Sequence, residues 1–175
     1  MSWRLYEFPH SHFCEIARWA LDHKDLPYRR ISLLPGLHAP RMRRLAGASS
    51  VPVLDTGTDV IQGSSNIVDY LESCHPERSL RADIATHELM AFERHLATAV
   101  GAPLRQLCYF HLLPRSDLVR YFFMCRSGPF KRLVFRALYP VVRKRITQVY
   151  DCTASGANRA RDQLQRAFDH YDGLL

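Results

Sequence analysis

No stretch of the chain approaches the roughly 18 uninterrupted apolar residues that a membrane-crossing helix needs. The N-terminus, Met1-Ser2-Trp3-Arg4-Leu5, has neither an apolar core nor a small-residue cleavage site. Neither a signal peptide nor a membrane span is expected. Cysteine is sparse: there are five (Cys14, Cys74, Cys108, Cys125, Cys152), an odd number, widely spaced and without a Cys-x-x-Cys pair. With no export signal, that usage points to reduced thiols in a cytoplasm rather than a disulfide framework. There is no internal repeat and no low-complexity tract, which sets aside solenoids and disordered linkers. Acidic residues are also short in one place. From Arg115 to Arg145 only Asp117 is acidic against nine basic residues, so that segment accounts for the net charge of +7 and the rest is nearly neutral. Such a block attracts nucleic acid or anionic lipid, or is simply a solvated helical face, the plainer reading.

What is present describes a folded protein. Hydrophobic residues make up 47% and charged residues 23% of 175 positions, room for one ordinary domain or two small ones. Arg4-Leu5-Tyr6-Glu7-Phe8 alternates as a short strand that Pro9 ends. Ser11 is placed to cap a helix in which Phe13, Ile16, Ala17, Ala20 and Leu21 recur at helical spacing. Tyr28–Leu33 reads as a second strand, and Pro40–Leu45 as a short helix. Val51-Pro52-Val53-Leu54 and Val60-Ile61, joined by the turn-rich Asp55-Thr56-Gly57-Thr58-Asp59, read as a hairpin. Ser64 or Ser65 is expected to cap the next helix, which His75-Pro76 closes. The order β-α-β-α-β-β-α suggests two crossover units with parallel strands and an antiparallel hairpin. Beyond a linker at 77–81 only helical patterning remains. A long helix is expected from Ala82 to Val100, with Leu89, Phe92, Glu93, Leu96 and Val100 at helical spacing, before Gly101-Ala102-Pro103 interrupts. Shorter pieces are punctuated by Pro114, Gly128-Pro129 and Pro140. A last helix starts near Ala157 with Ala160, Leu164, Phe168, Tyr171 and Leu175 on one side.

Three segments carry chemistry. Phe8-Pro9-His10-Ser11-His12-Phe13-Cys14 puts a hydroxyl at the opening of a helix that follows a buried strand. Ligands of open α/β sheets bind beyond the strands' carboxyl ends, and a helix N-terminus favours an anion. If that anion is a thiolate, Ser11 donates to it; the plainer role is capping. Lowering a thiol pKa by two units needs roughly 2.7 kcal/mol, within reach of one charge-assisted hydrogen bond plus the helix dipole. Val51-Pro52 interrupts a strand with a residue that cannot donate to the ladder, which suits an edge or a site. If the bond is cis, the Val51 backbone turns outward to pair with a peptide-like ligand. In Gly63-Ser64-Ser65-Asn66-Ile67-Val68-Asp69-Tyr70-Leu71-Glu72, a serine at a second helix N-terminus can hold a carboxylate, or merely cap.

Taken together, residues 4–72 resemble the N-terminal domain of the glutathione-transferase family. Ser11 to Leu21 is similar to the stretch that opens the family's first helix, Val51-Pro52-Val53-Leu54 to its cis-proline segment, and Ser64 to Glu72 to its Ser-x-x-Ile-x-x-Tyr-Leu-Glu helix. The resemblance is to bacterial, serine-type members. It implies an α/β thioredoxin-like domain at 1–76, a linker at 77–81 and an all-helical domain at 82–175, shortened relative to the family and without its Ser-x-x-Asp capping segment. It also implies a detoxifying enzyme that conjugates glutathione, as co-substrate, to a hydrophobic electrophile, or uses it as reductant. The implied homodimer is cytoplasmic and works without a metal. By position, Ser11 would stabilise the glutathione thiolate, Val51 and Pro52 would pair the cysteinyl part, and Gly63, Ser64 and Ser65 would hold the γ-glutamyl end. His38 would meet the glycine carboxylate. Gly63 stands where the family carries an acidic residue or Gln, with Gln62 one place earlier.

Other chemistries fit less well. Cys14 shares a helix side with Ala17 and Leu21, which favours core packing over a reactive thiol. His10-x-His12 lacks the further ligands of a metal site. An interaction module with a basic helical surface is the alternative of a different class. The aromatics interleaved with the basic block (Tyr121, Phe122, Phe123, Phe130, Phe135, Tyr139) suit a core better than base stacking, so nucleic acid is not an expected partner.

Overall fold

The computed structural model describes residues 2–81, 86–124 and 128–173. The expected helix start at Ala82, Cys125 and Arg126 of the basic block, and Leu175 lie outside them. The chain divides into two units, one of Met1–Ala82 with Tyr121–Leu133, the other of Asp83–Arg120 with Val134–Leu175.

The first unit is built on strands β1 (Trp3–Glu7), β2 (Tyr28–Ser32), β3 (Val53–Asp55) and β4 (Val60–Gln62), in the order β2-β1-β3-β4. Alternation of side chains splits its core in two. Leu5 and Leu54 face helices α1 (His12–His23) and α3 (Ser64–Cys74), where Ala17, Ala20, Leu21, Ile67, Val68 and Leu71 cover them. Their neighbours Tyr6 and Val53 face the other way, against Leu33 and Met42 of helix α2 (Ala39–Ala46). Ile16 stays on the exposed side of α1, and the buried side runs through Cys14, Ala17, Arg18, Ala20 and Leu21.

Two expectations about this sheet change. Only β1 and β2 are parallel; β3 runs antiparallel to β1. The reason lies in the register. Ser32 ends β2 opposite Glu7, and Val53 begins β3 opposite Tyr6, so the connection through α2 returns to the edge it left. The strand after it must run back. The cap of α3 also differs: Gly63 occupies it with φ +95°, Ser64 is the first helical residue, and no side chain caps the helix.

The linker is tied back to this unit. Lys24 Nζ, on a side chain 1% exposed, donates to the carbonyls of His75 (2.6 Å) and Arg78 (3.3 Å) and pairs with Glu72 at 2.7 Å. Glu72 in turn accepts from Ser79 Oγ and the Leu80 N–H.

In the second unit, α4 (Thr86–Leu96) and α5 (Ala102–Leu112) are joined by a π-helical stretch, Ala97–Gly101. Gly101-Ala102-Pro103 therefore changes the helical register without breaking the helix: the wider π-helical turn comes just before Pro103, which has no N–H to give. Pro114 does separate α5 from α6 (Ser116–Met124). Pro140 lies inside α7 (Pro129–Val149) without ending it. It is exposed, so the Arg136 carbonyl left without its donor lies on the solvent side.

Helix α8 (Ala154–Asp172) buries Ala157, Ala160, Leu164 and Ala167 and leaves Phe168 exposed, one position off the expected face. Its cap was not visible as a motif. Thr153 Oγ1 accepts from Gly156 N–H at 3.0 Å, and a Cβ at Gly156 would lie 2.1 Å from the Asp151 carbonyl. That same carbonyl accepts from Gln106 Nε2 at 2.9 Å, tying α5 to the start of α8.

Candidate functional site

Four loops meet one edge of the sheet, as the register requires. Glu7 of β1 lies opposite Ser32 of β2, and Tyr6 lies opposite Val53 of β3, which lies opposite Gln62 of β4. The segments 8–11, 33–38, 50–52 and 63–64 all leave or enter at that end. Ser11, Val51-Pro52 and Gly63-Ser64 are thereby gathered at one edge, with His38 in the fourth loop.

Ser11 sits half-buried at the cap of α1 with extended backbone (φ −88°, ψ 123°), and its Oγ accepts from Cys14 N–H at 3.4 Å. Capping uses a lone pair, and the hydroxyl proton is shared between Cys14 Sγ beneath it and any acceptor outside. Cys14 beneath it is fully buried. Burial pushes its thiol up, and hydrogen bonds from Ser11 and the Phe8 backbone only partly offset this. This cysteine is a core side chain.

The Val51–Pro52 bond is cis. The Pro52 carbonyl accepts from Gly63 N–H at 2.9 Å, while no hydrogen bond among the described residues uses the Val51 N–H. The stretch before it is clamped by Gln62, whose amide donates to the carbonyls of Ala48 (3.0 Å) and Ser50 (2.8 Å).

Ser64 is buried at the first position of α3, where backbone N–H groups have no helical partner, and its hydroxyl bonds to no described residue. Ser65 is exposed. His38 precedes α2. Its Nδ1 lies 3.2 Å from the Leu34 carbonyl and its ring packs edge-on against Phe8 at 4.7 Å. Burial lowers its pKa below the ordinary histidine value, and backbone bonds with Leu34 and Ser49 partly oppose this.

Behind the 8–11 loop lies a buried ionic cluster. Glu7, 0% exposed, accepts from Arg18 through one oxygen and from Arg30 Nε at 2.7 Å through the other. Arg18 also donates to the Pro9 carbonyl at 3.1 Å and to Glu15. One guanidinium thus joins the end of β1, the loop and α1. His10 stands beside it, its ring edge-on to Phe122 at 5.0 Å. Burial, then Arg18 and Arg30, lower its pKa, against Glu7. The reading of motifs missed this cluster. Its signals were a carboxylate at the inner end of the alternating strand and an arginine on the apolar side of α1.

The family model described as glutathione S-transferase, N-terminal domain, matches residues 5–79. No curated protein matches the chain by sequence. Among solved structures, the chain is similar to glutathione S-transferase III in its apo form, with TM-score 0.66, 18% identity, and coverage of 99% of this chain and 68% of that one. It is similar to a glutathione S-transferase of Ceriporiopsis subvermispora solved in complex with glutathione, with TM-score 0.64, 15% identity and coverage of 98% and 72%. Ure2p in complex with glutathione matches at TM-score 0.64 and 18% identity, with coverage of 97% and 66%. Residues 5–79 thus match a glutathione S-transferase N-terminal domain, and the chain shares the fold of solved glutathione S-transferases over about 70% of their length.

Proposed function

We propose that the chain binds glutathione at this sheet edge and conjugates it to a hydrophobic electrophile, in a cytoplasm and as a homodimer, with a glutathione domain at 1–76, a linker at 77–81 and a helical domain at 82–175. The reading rests on one observation: a hydroxyl at the opening of α1, an unpaired Val51 N–H beside a cis proline, and an unpaired Ser64 hydroxyl at the opening of α3 share one edge. In this account the glutathione thiol gives its proton to solvent, Ser11 donates its hydroxyl proton in a hydrogen bond to the sulfur, and the positive end of α1 favours the thiolate over the thiol. The sulfur then forms a C–S bond to the electrophilic carbon, whose leaving group departs with its electron pair. The Val51 N–H pairs with the cysteinyl carbonyl, and Ser64 with the free α3 N–H groups holds the γ-glutamyl carboxylate. Gly63 lets the chain enter α3 at φ +95°, and Ser65, exposed one place on, serves the rim. His38 would meet the glycine carboxylate only as the protonated ring, since the Leu34 carbonyl takes the Nδ1 proton of the neutral form, and burial works against that charge.

The test is retention on immobilised glutathione with elution by free glutathione, together with turnover of a chloronitrobenzene electrophile. Retention that Ser64→Ala abolishes, with turnover that Ser11→Ala removes, supports the reading. A folded chain that passes straight through overturns it. A second reading, a glutathione-binding interaction module without turnover, draws on Ser11 already serving as the α1 cap. Retention without turnover in the wild type would select it.

A further inference from the structure

Helix α7 is apolar on two sides, and among the described residues only one of them is covered. Phe135 and Tyr139 are buried, with Leu138, Val142 and Ile146 half-buried around them. Phe130, Leu133, Ala137, Pro140 and Val141 recur at helical spacing on the opposite side and are exposed, Phe130 at 77%, Leu133 at 66% and Val141 at 69%. Exposed Arg132, Arg136 and Arg143 line one border of this stripe, Arg145 the other, and Lys144 continues it. Where stripe and charges meet, a depression of about 480 Å³ is lined by Tyr139, Pro140, Arg143, Lys144, Thr147 and Gln148. It offers two cations, a hydroxyl and an amide next to apolar surface. No acidic residue lies on α7 to neutralise them.

We infer that this face of α7 docks onto an anionic lipid surface, the apolar stripe resting among the acyl chains near the headgroups and the arginines meeting lipid phosphates, with one headgroup seated in the depression. A bilayer surface presents apolar interior and negative charge in adjoining layers, as the stripe and its borders do. A second copy of the chain would set Arg132, Arg136 and Arg143 against like charges. Nucleic acid would meet, along the middle of the stripe, Leu133, Ala137, Pro140 and Val141, which neither stack on bases nor hydrogen-bond to them. The inference stands apart from the glutathione site, since no residue of the stripe belongs to it.

The experiment is flotation of the full chain with vesicles of phosphatidylcholine alone or with about 30% phosphatidylserine. Binding is expected to the anionic vesicles only and to fall about tenfold or more at high salt. Arg136→Glu with Arg143→Glu should abolish it. Val141→Asp should weaken it about tenfold or more, with the circular dichroism spectrum unchanged. Absence of binding by the folded wild type at low salt overturns the inference. So does binding to which Val141→Asp is indifferent, which would mark a purely electrostatic partner such as DNA or an acidic protein. A dimer that Val141→Asp dissociates, without vesicle binding, would assign the face to a second copy and equally overturn it.

Discussion

At the scale of single residues, chemistry and architecture ask different things of similar side chains. Ser11 and Ser64 both open helices, yet Ser11 caps its own and Ser64 does not. If Ser11 also donates to a bound sulfur, Ser11→Ala removes a charge-assisted donor. Conjugation should then fall about 10²-fold or more, and the pKa of bound glutathione should rise, as read from the thiolate absorbance against pH. An unchanged rate would leave Ser11 only its cap. Gly156 carries an architectural demand instead. A methyl there must displace the Asp151 carbonyl, so Gly156→Ala should destabilise the fold by about 1–3 kcal/mol in urea unfolding, as overpacked sites do. Motifs along the chain named Ser11, Ser64, Ser65 and the Val51-Pro52 pair as candidates. Gly156 was illegible, because its neighbour Asp151 is held in place by Gln106, 45 positions away in sequence.

At the scale of elements, the end of β1 and the start of α1 are joined by charge inside the sheet's packing. Arg18, 5% exposed, holds Glu7, 0% exposed, and the Pro9 carbonyl together. Removing one partner of such a pair leaves an uncompensated buried charge, which costs about 3–5 kcal/mol where no other cation serves it. Arg30 still reaches Glu7, so Arg18→Met should fall toward the lower end of that range by urea unfolding. Because the Pro9 contact goes too, glutathione affinity should drop more than in an equally destabilised core variant such as Leu71→Ala. Equal losses in the two variants would show that Arg18 has no specific hold on the loop. Strand positions were readable from alternation and turn residues, since those signals act over a few neighbours. The direction of β3 was not, because it depends on which edge the α2 connection returns to, and the continuity of α7 through Pro140 depends on which side meets solvent.

At the scale of the whole molecule, titration ties stability to pH. In Glu72, burial pushes the carboxyl up, but hydrogen bonds from Lys24, Ser79 and the Leu80 N–H outweigh it and bring the pKa down to about 2. A carboxyl depressed on folding contributes stability that is complete above its ordinary value of 4.5 and is lost as pH falls from there toward 2. His10 and His38, both lowered from 6.5 chiefly by burial, act in the same direction at higher pH, since protonation costs more in the folded chain. Unfolding midpoints should therefore decline in two stages, first below about pH 6.5 and then below about pH 4.5. Glu72→Gln should flatten the second stage and leave the first. A wild-type profile level between pH 7 and pH 5 would contradict the histidine assignment.

What the chain's residues determined unaided was local and ordered: where strands alternate, where helices open and stop, and that three degenerate motifs follow one another as in a glutathione S-transferase N-terminal domain. Backbone sterics, capping and side-chain period operate within a few residues and so can be read along a line. Tertiary structure alone decided that Glu7, Arg18 and Arg30 close a buried network and that, among the described residues, the Ser64 hydroxyl has no partner and α7 keeps an uncovered apolar side. Those outcomes depend on dielectric and on partners distant in sequence, and a residue's neighbours along the chain carry no information about either.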